Sequence, residues 1–223
     1  MNETDQNNVG LEQRENVLPA HGVMLFLKRQ SIFLYLAGAV VILAALVFVF
    51  YAVKSNRDNQ QASRLLGVAQ TSKQFEDLFR QYPKSSAAPA ALLALASSCF
   101  SAGDYDSALG HYVEFIEKYP KHSMLSAAEL GKVMCFEARG EMEKSLAGFD
   151  AFLQAYPDSY LMPQALFGKA RCLQATGKLP EARIVYENFI AAYPESKWRP
   201  QAEAALQSLD RQARLATSGR QGK

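Results

Sequence analysis

Side chains able to do chemistry are few in this chain of 223 residues, and they do not converge. The histidines, His21, His111 and His122, show no i, i+3 or i, i+4 spacing that would set two imidazoles on one helical turn as metal ligands. Cys99, Cys135 and Cys172 contain no C-x-x-C pair. Cys135 and Cys172 are 37 residues apart, and Cys99 lies one residue out of that phase. They read as small buried hydrophobes rather than as a disulfide or redox pair. Gly103, Gly140 and Gly177 keep the same interval of 37 but stand singly, so they suit helix turns and not a phosphate-cradling loop. The sequence predicts no catalytic residues, no metal site and no cofactor.

The interval itself is the signal. Tyr-Pro pairs begin at Tyr82, Tyr119, Tyr156 and Tyr193, each 37 residues after the last. Tyr112, Phe149 and Tyr186 keep that spacing, as do Phe115, Phe152 and Phe189, and Ala91, Ala128, Ala165 and Ala202. Pro89, Ser126, Pro163 and Pro200 form a further row. A period of this size that preserves aromatic, small and turn residues at separate phases marks a repeat architecture.

One unit reads as two helices. Pro89 suits a first helical turn, where the missing N–H has no intrahelical partner to lose. Leu92, Leu95, Ala96, Cys99 and Phe100 then recur at three- and four-residue steps, which places them on one buried face. Gly103 ends that helix and Asp104 can cap the next. Ala108, Tyr112, Phe115 and Tyr119 give the second helix its apolar stripe, and Pro120 stops it.

The second-helix pattern is carried by "GDYDSALGHYVEFIEKYP", "GEMEKSLAGFDAFLQAYP", in which Ser145 stands where the others have alanine, and "GKLPEARIVYENFIAAYP". It resembles the tetratricopeptide repeat, whose usual unit has about 34 residues. The longer unit here, with "YPxS" before the next helix, is similar to repeats of bacterial envelope proteins such as the Tol-Pal-associated coiled-coil lipoprotein and the outer-membrane assembly lipoproteins. The expected fold class is all-α: a short solenoid of antiparallel helix pairs over residues 74–216. "FEDLFRQYP" reads as a lone second helix, three full pairs follow, and "RPQAEAALQSLDRQARLA" reads as a last first-type helix whose outer face is polar.

Composition fits a globular domain attached to something apolar, with 49% hydrophobic and 21% charged residues. Beyond Val53 there are 21 Lys and Arg against 18 Asp and Glu, too even for a nucleic-acid footprint. Ile32 to Val53 is a run of 22 residues without a charge or proline. A helix of that length reaches roughly 33 Å at about 1.5 Å per residue, enough to cross a hydrocarbon core of about 30 Å. The run is longer than a signal-peptide core and is followed directly by Lys54, so an uncleaved anchor is expected. No cysteine follows it until Cys99, which excludes a lipoprotein anchor. The expected layout is a polar tail over 1–31, a transmembrane helix over 32–53, a helical spacer over 54–73, the repeats over 74–216 and a tail over 217–223.

The positive-inside count does not orient the span, because Lys28 and Arg29 precede it while Lys54, Arg57 and Arg64 follow. The order of tail, single span, polar helix and repeats resembles the ancillary SecYEG translocon subunit family. That resemblance implies a cytosolic tail, an extracytoplasmic repeat domain and partners among translocon, chaperone or envelope-assembly components. The tetratricopeptide resemblance implies a concave groove at Leu93, Ser97 and Phe100, then Leu130, Met134 and Glu137, then Phe167, Arg171 and Gln174, with Ser208 and Arg211 from the last helix. Leu93, Leu130 and Phe167 have packing between helices as their alternative reading. Lys132 and Lys169 do not reproduce the carboxylate clamp of chaperone-tail-binding repeats. The function expected is a non-enzymatic, membrane-anchored protein-interaction scaffold, the alternative being a structural component that self-associates, as a homo-oligomer, without a peptide ligand. Because the aromatic rows are read as buried between helices, Phe152→Ala is expected to cost about 3–5 kcal/mol, measured as a lowered thermal midpoint.

Overall fold

The computed structural model describes residues 20–221, with side chains from Tyr35 to Gln212 and at Arg214. Its helices are α1 (Ala20–Val68), α2 (Ser72–Gln81), α3 (Ala88–Ser101), α4 (Tyr105–Lys118), α5 (Leu125–Ala138), α6 (Met142–Ala155), α7 (Met162–Ala175), α8 (Leu179–Ala192) and α9 (Arg199–Gln221). No strand occurs among the described residues. Two compact units divide between Arg57 and Asp58. Residues 1–19, most of the expected N-terminal tail, lie outside the described part, as do the last two residues of the expected C-terminal tail.

The described part of the first unit is the apolar stretch of α1. Its most apolar 18-residue window has a mean hydropathy of 2.8, and none of that window is buried. Phe48 and Phe50 are 74% and 65% exposed. A core helix of a soluble domain would have protein over such side chains. Uncovered, this helix is long and apolar enough to cross a membrane.

In the second unit the repeats appear as the helix pairs α3/α4, α5/α6 and α7/α8. Each turn inside a pair is made by a glycine in the left-handed region, with φ of +82° at Gly103, +78° at Gly140 and +77° at Gly177. The residue after each glycine closes the turn from its backbone N–H. Asp104 donates to the Cys99 carbonyl at 3.0 Å, Glu141 to Phe136 at 2.9 Å and Lys178 to Leu173 at 2.8 Å. Asp104 also caps α4 as expected, its carboxylate accepting from the Ser107 N–H at 3.1 Å.

α2 differs from the sequence reading in having a partner. The end of α1 supplies the missing first helix: Ala62 is fully buried and, with Leu66, packs against Leu78, Ala87 and Ala91. The Tyr82 hydroxyl donates to Gln61 Oε1 at 3.0 Å, and Asn59 Oδ1 accepts from the Ser86 N–H at 2.9 Å. The pairing was hidden because this unit is shorter and out of the 37-residue phase.

The periodic rows are the core. Tyr112, Phe115, Phe149, Phe152, Tyr186 and Phe189 are all buried, and Ala91, Ala128, Ala165 and Ala202 have no exposed surface. Ser145 is buried in the row of Ala108 and Ala182, and its hydroxyl donates to the Val133 carbonyl at 3.3 Å, so no unpaired polar group results. Successive pairs are keyed together by rings set on glycines. A Cβ built on Gly131 would lie 2.3 Å from Tyr112 Cζ, and one on Gly168 would lie 2.2 Å from Phe149 Cζ. Gly131→Ala or Gly168→Ala must displace a buried ring and is expected to destabilise by about 1–3 kcal/mol in denaturant titrations. Gly110→Ala, where a Cβ meets nothing within 4 Å, is expected to be neutral or to stabilise by up to about 1 kcal/mol.

Candidate functional site

The surface formed by the first helices α3, α5, α7 and α9 carries most of the expected groove residues, but not all of them. Leu93, Phe100 and Met134 are half-buried, and Ser97 and Arg211 are exposed. Phe100 rests against Tyr105 with ring centroids 5.2 Å apart. Gln174 is half-buried, and the half-buried Ser208 turns its hydroxyl to the Ala205 carbonyl at 2.7 Å.

Leu130 and Phe167 are corrections. They are 2% and 4% exposed and belong to the core. Leu130 clusters with Val133, Phe149 and Phe152. Phe167 is ringed by Tyr186, Phe189 and Trp198 at centroid distances of 5.3, 5.6 and 5.8 Å. Their apolar surface is withdrawn from water by partners in the same domain, so neither can present a side chain to a ligand without unpacking the repeat.

The middle of the face is polar and internally matched. Arg171 Nε and an Nη donate to Glu137 Oε1 and Oε2 at 2.6 and 2.9 Å, a two-pronged pair that ties α7 to α5. The Glu137 side chain is 15% exposed and that of Arg171 48%. The hydrogen bond to Glu137 pushes the Arg171 pKa further up, so the cation is held throughout the physiological range. Beside the pair, Gln164 Nε2 donates to Met134 Sδ at 3.1 Å, again from α7 to α5. Gln164 was not anticipated. Its row reads Ala90, Ala127, Gln164 and Gln201, and the sulfur contact needs Met134 opposite it, which the row does not report.

The cysteines are free, with Cys135 and Cys172 buried and Cys99 half-buried. Burial pushes the Cys135 thiol up to about 11 and raises those of Cys172 and Cys99 as well. A raised thiol pKa keeps the unreactive protonated form at neutral pH. Among the described residues no group of three or more His, Cys, Asp or Glu could hold a metal ion. Half-buried apolar side chains at Leu93, Phe100 and Met134 and the self-neutralised Glu137–Arg171 pair thus lie on the first helices α3, α5 and α7.

Alkylation at pH 8 is expected to be slow for Cys135 and Cys172 in the folded chain, to rise steeply on denaturation, and to be faster at Cys99. Removing one partner of the Glu137–Arg171 pair is expected to cost about 1 kcal/mol, discounted for solvent screening, with a double-mutant cycle giving the coupling and high salt reducing it.

Residues 56–217 match the family described as YfiO, outer membrane lipoprotein. No curated protein sequence matches the chain. Among solved structures it is similar to a Podosopora anserina protein described as kinesin light chain nearly identical TPR-like repeats, at 15% identity and TM-score 0.54, over 74% of this chain and 90% of that one. A point-substituted form of that protein aligns at 16% identity and TM-score 0.51, over 76% and 97% of the two chains. These likenesses show the tetratricopeptide-type fold. The family match begins just beyond the apolar run of α1, and no cysteine precedes Cys99. With the match covering most of the sequence, the chain belongs to the YfiO family of outer membrane lipoproteins.

Proposed function

We propose that this chain is a non-enzymatic scaffold of the bacterial envelope, held at a membrane by α1, whose first-helix face receives segments of client proteins during translocation or envelope assembly. The observation that carries the reading is the position of the family match, which starts at residue 56, directly after the exposed apolar stretch of α1. No cysteine stands ahead of the repeats in this sequence to carry a lipid, and the apolar helix can supply the anchor instead. The repeat domain stands on the extracytoplasmic side. There the tether raises the effective concentration of the groove for anything emerging at the bilayer surface, so modest contact energy suffices. The client contacts are Leu93, Ser97, Phe100, Met134, Gln174, Ser208 and Arg211, arranged around the Glu137–Arg171 pair.

Two measurements test this. Protease added to spheroplasts is expected to remove the repeat domain; full protection would place the repeats on the cytosolic side. A photo-crosslinking residue at Ser97 or Arg211 of the full chain in native membranes is expected to yield discrete adducts with other proteins, absent when it replaces Glu117 on α4 and reduced by Phe100→Ala. Adducts only between copies of this chain would support the self-associating structural role instead, and equal labelling from all three positions would remove the groove from the function.

A further inference from the structure

The turns that join one repeat to the next share a backbone design, and one of the four differs in its chemistry. In each, the residue three after the tyrosine of the Tyr-Pro pair donates its N–H back to that tyrosine's carbonyl: Ser85 to Tyr82, His122 to Tyr119, Ser159 to Tyr156 and Ser196 to Tyr193, at 3.0 to 3.2 Å. The side chain at this position then secures the turn. Ser159 Oγ accepts from the Leu161 N–H at 3.2 Å, Ser196 Oγ accepts from the Trp198 N–H at 3.2 Å, and the Ser85 hydroxyl donates to the Tyr82 carbonyl at 2.8 Å. In the turn between α4 and α5 the same place is held by His122, whose Nδ1 accepts from the Met124 N–H at 3.1 Å.

A serine hydroxyl can serve as that acceptor at any physiological pH. An imidazole can do so only while Nδ1 is unprotonated, since the imidazolium is a donor at both nitrogens. Protonation would turn this contact into an N–H facing an N–H. The His122 ring also stands edge-on to the buried Phe115 at 5.7 Å and packs against Tyr119 at 6.3 Å, so it cannot leave the turn without uncovering aromatic surface. We propose that His122 makes the junction between the first two full repeats proton-sensitive, closed when the imidazole is neutral and loosened when it is charged, while the three serine turns do not respond.

His122 lines an open recess of about 610 Å³ between the two loops at 120–126 and 155–160. The titratable groups that share this recess are Lys121 from its own turn and Tyr156, Asp158 and Tyr160 from the next, and Tyr119, just past the end of α4, packs its ring against the imidazole. Neither Lys121 nor Asp158 takes part in an ion pair among the described residues. The acceptor role of Nδ1 sets the sign: the contact holds while the imidazole is neutral and is lost when it is charged.

Amide exchange of Met124, measured by NMR on the full chain in detergent micelles at pH 7.5 and 5.5 and corrected for intrinsic exchange, tests this. Wild-type protection at Met124 is expected to fall roughly two- to tenfold at the lower pH, the equilibrium equivalent of losing one hydrogen bond. Leu161 and Trp198 serve as internal references and are expected to hold theirs. His122→Ser is expected to keep Met124 protected at both pH values, and His122→Asn, whose side-chain oxygen can also accept, replaces it as the readout if the serine variant fails to fold. Unchanged wild-type protection at pH 5.5, or an equal fall in the variant, would overturn the proposal.

Discussion

The fold depends on one contact made twice: an aromatic ring from a second helix lying on the bare backbone of a glycine in the following first helix. Tyr112 on Gly131 and Phe149 on Gly168 leave no room for a methyl group. They therefore fix how close, and at what rotation, each helix pair meets the next. A solenoid has no contacts between distant repeats, so its geometry is the accumulation of such nearest-neighbour junctions. The alanines at Ala91, Ala128, Ala165 and Ala202, all fully buried, act in the same way within the domain, because small residues let helix axes approach and aromatic side chains fill the space to either side.

A stack of this kind has two ends, and each is closed differently. At the start, the last turns of α1 take the place of a first helix, sealing α2 with Ala62 and Leu66 and with side-chain bonds from Gln61 and Asn59. At the finish, α9 has no second helix over it among the described residues. Arg183 stands one period after Leu146, and it pairs with Asp210, itself one period after Leu173. An apolar junction of the inner repeats has thus become an ion pair at the terminal one, which keeps the uncovered end wettable.

At the middle of the first-helix face, charge is matched internally. Glu137 and Arg171 satisfy each other across two repeats; of the other proposed contact positions, Leu93, Phe100, Met134, Gln174 and Ser208 are half-buried and uncharged, while Ser97 and Arg211 are exposed. Such a face gains most from shape and apolar contact with a partner segment and little from long-range steering. The membrane-proximal placement proposed above complements that property, since a tethered site does not rely on charge to find its client.

What the sequence determined by itself was the architecture. The 37-residue rows of Tyr, Phe, Ala and Gly identify helix, left-handed turn and helix because each row answers a local steric demand, and local demands repeat whenever the unit repeats. The apolar run from Ile32 was equally legible, since length and hydropathy are properties of a segment alone. Tertiary structure decided which of the groove positions are open. Leu130 and Phe167 occupy the same phase as the half-buried Leu93, yet Phe149 and Phe152 close over one, and Tyr186, Phe189 and Trp198 over the other. It also revealed the partner of α2, which departs from the period, the contact of Gln164 with Met134, and the use of His122, the single exception in its row. Periodicity reports what all repeats share. The residues that make one junction unlike its neighbours are fixed by which side chains meet there in space.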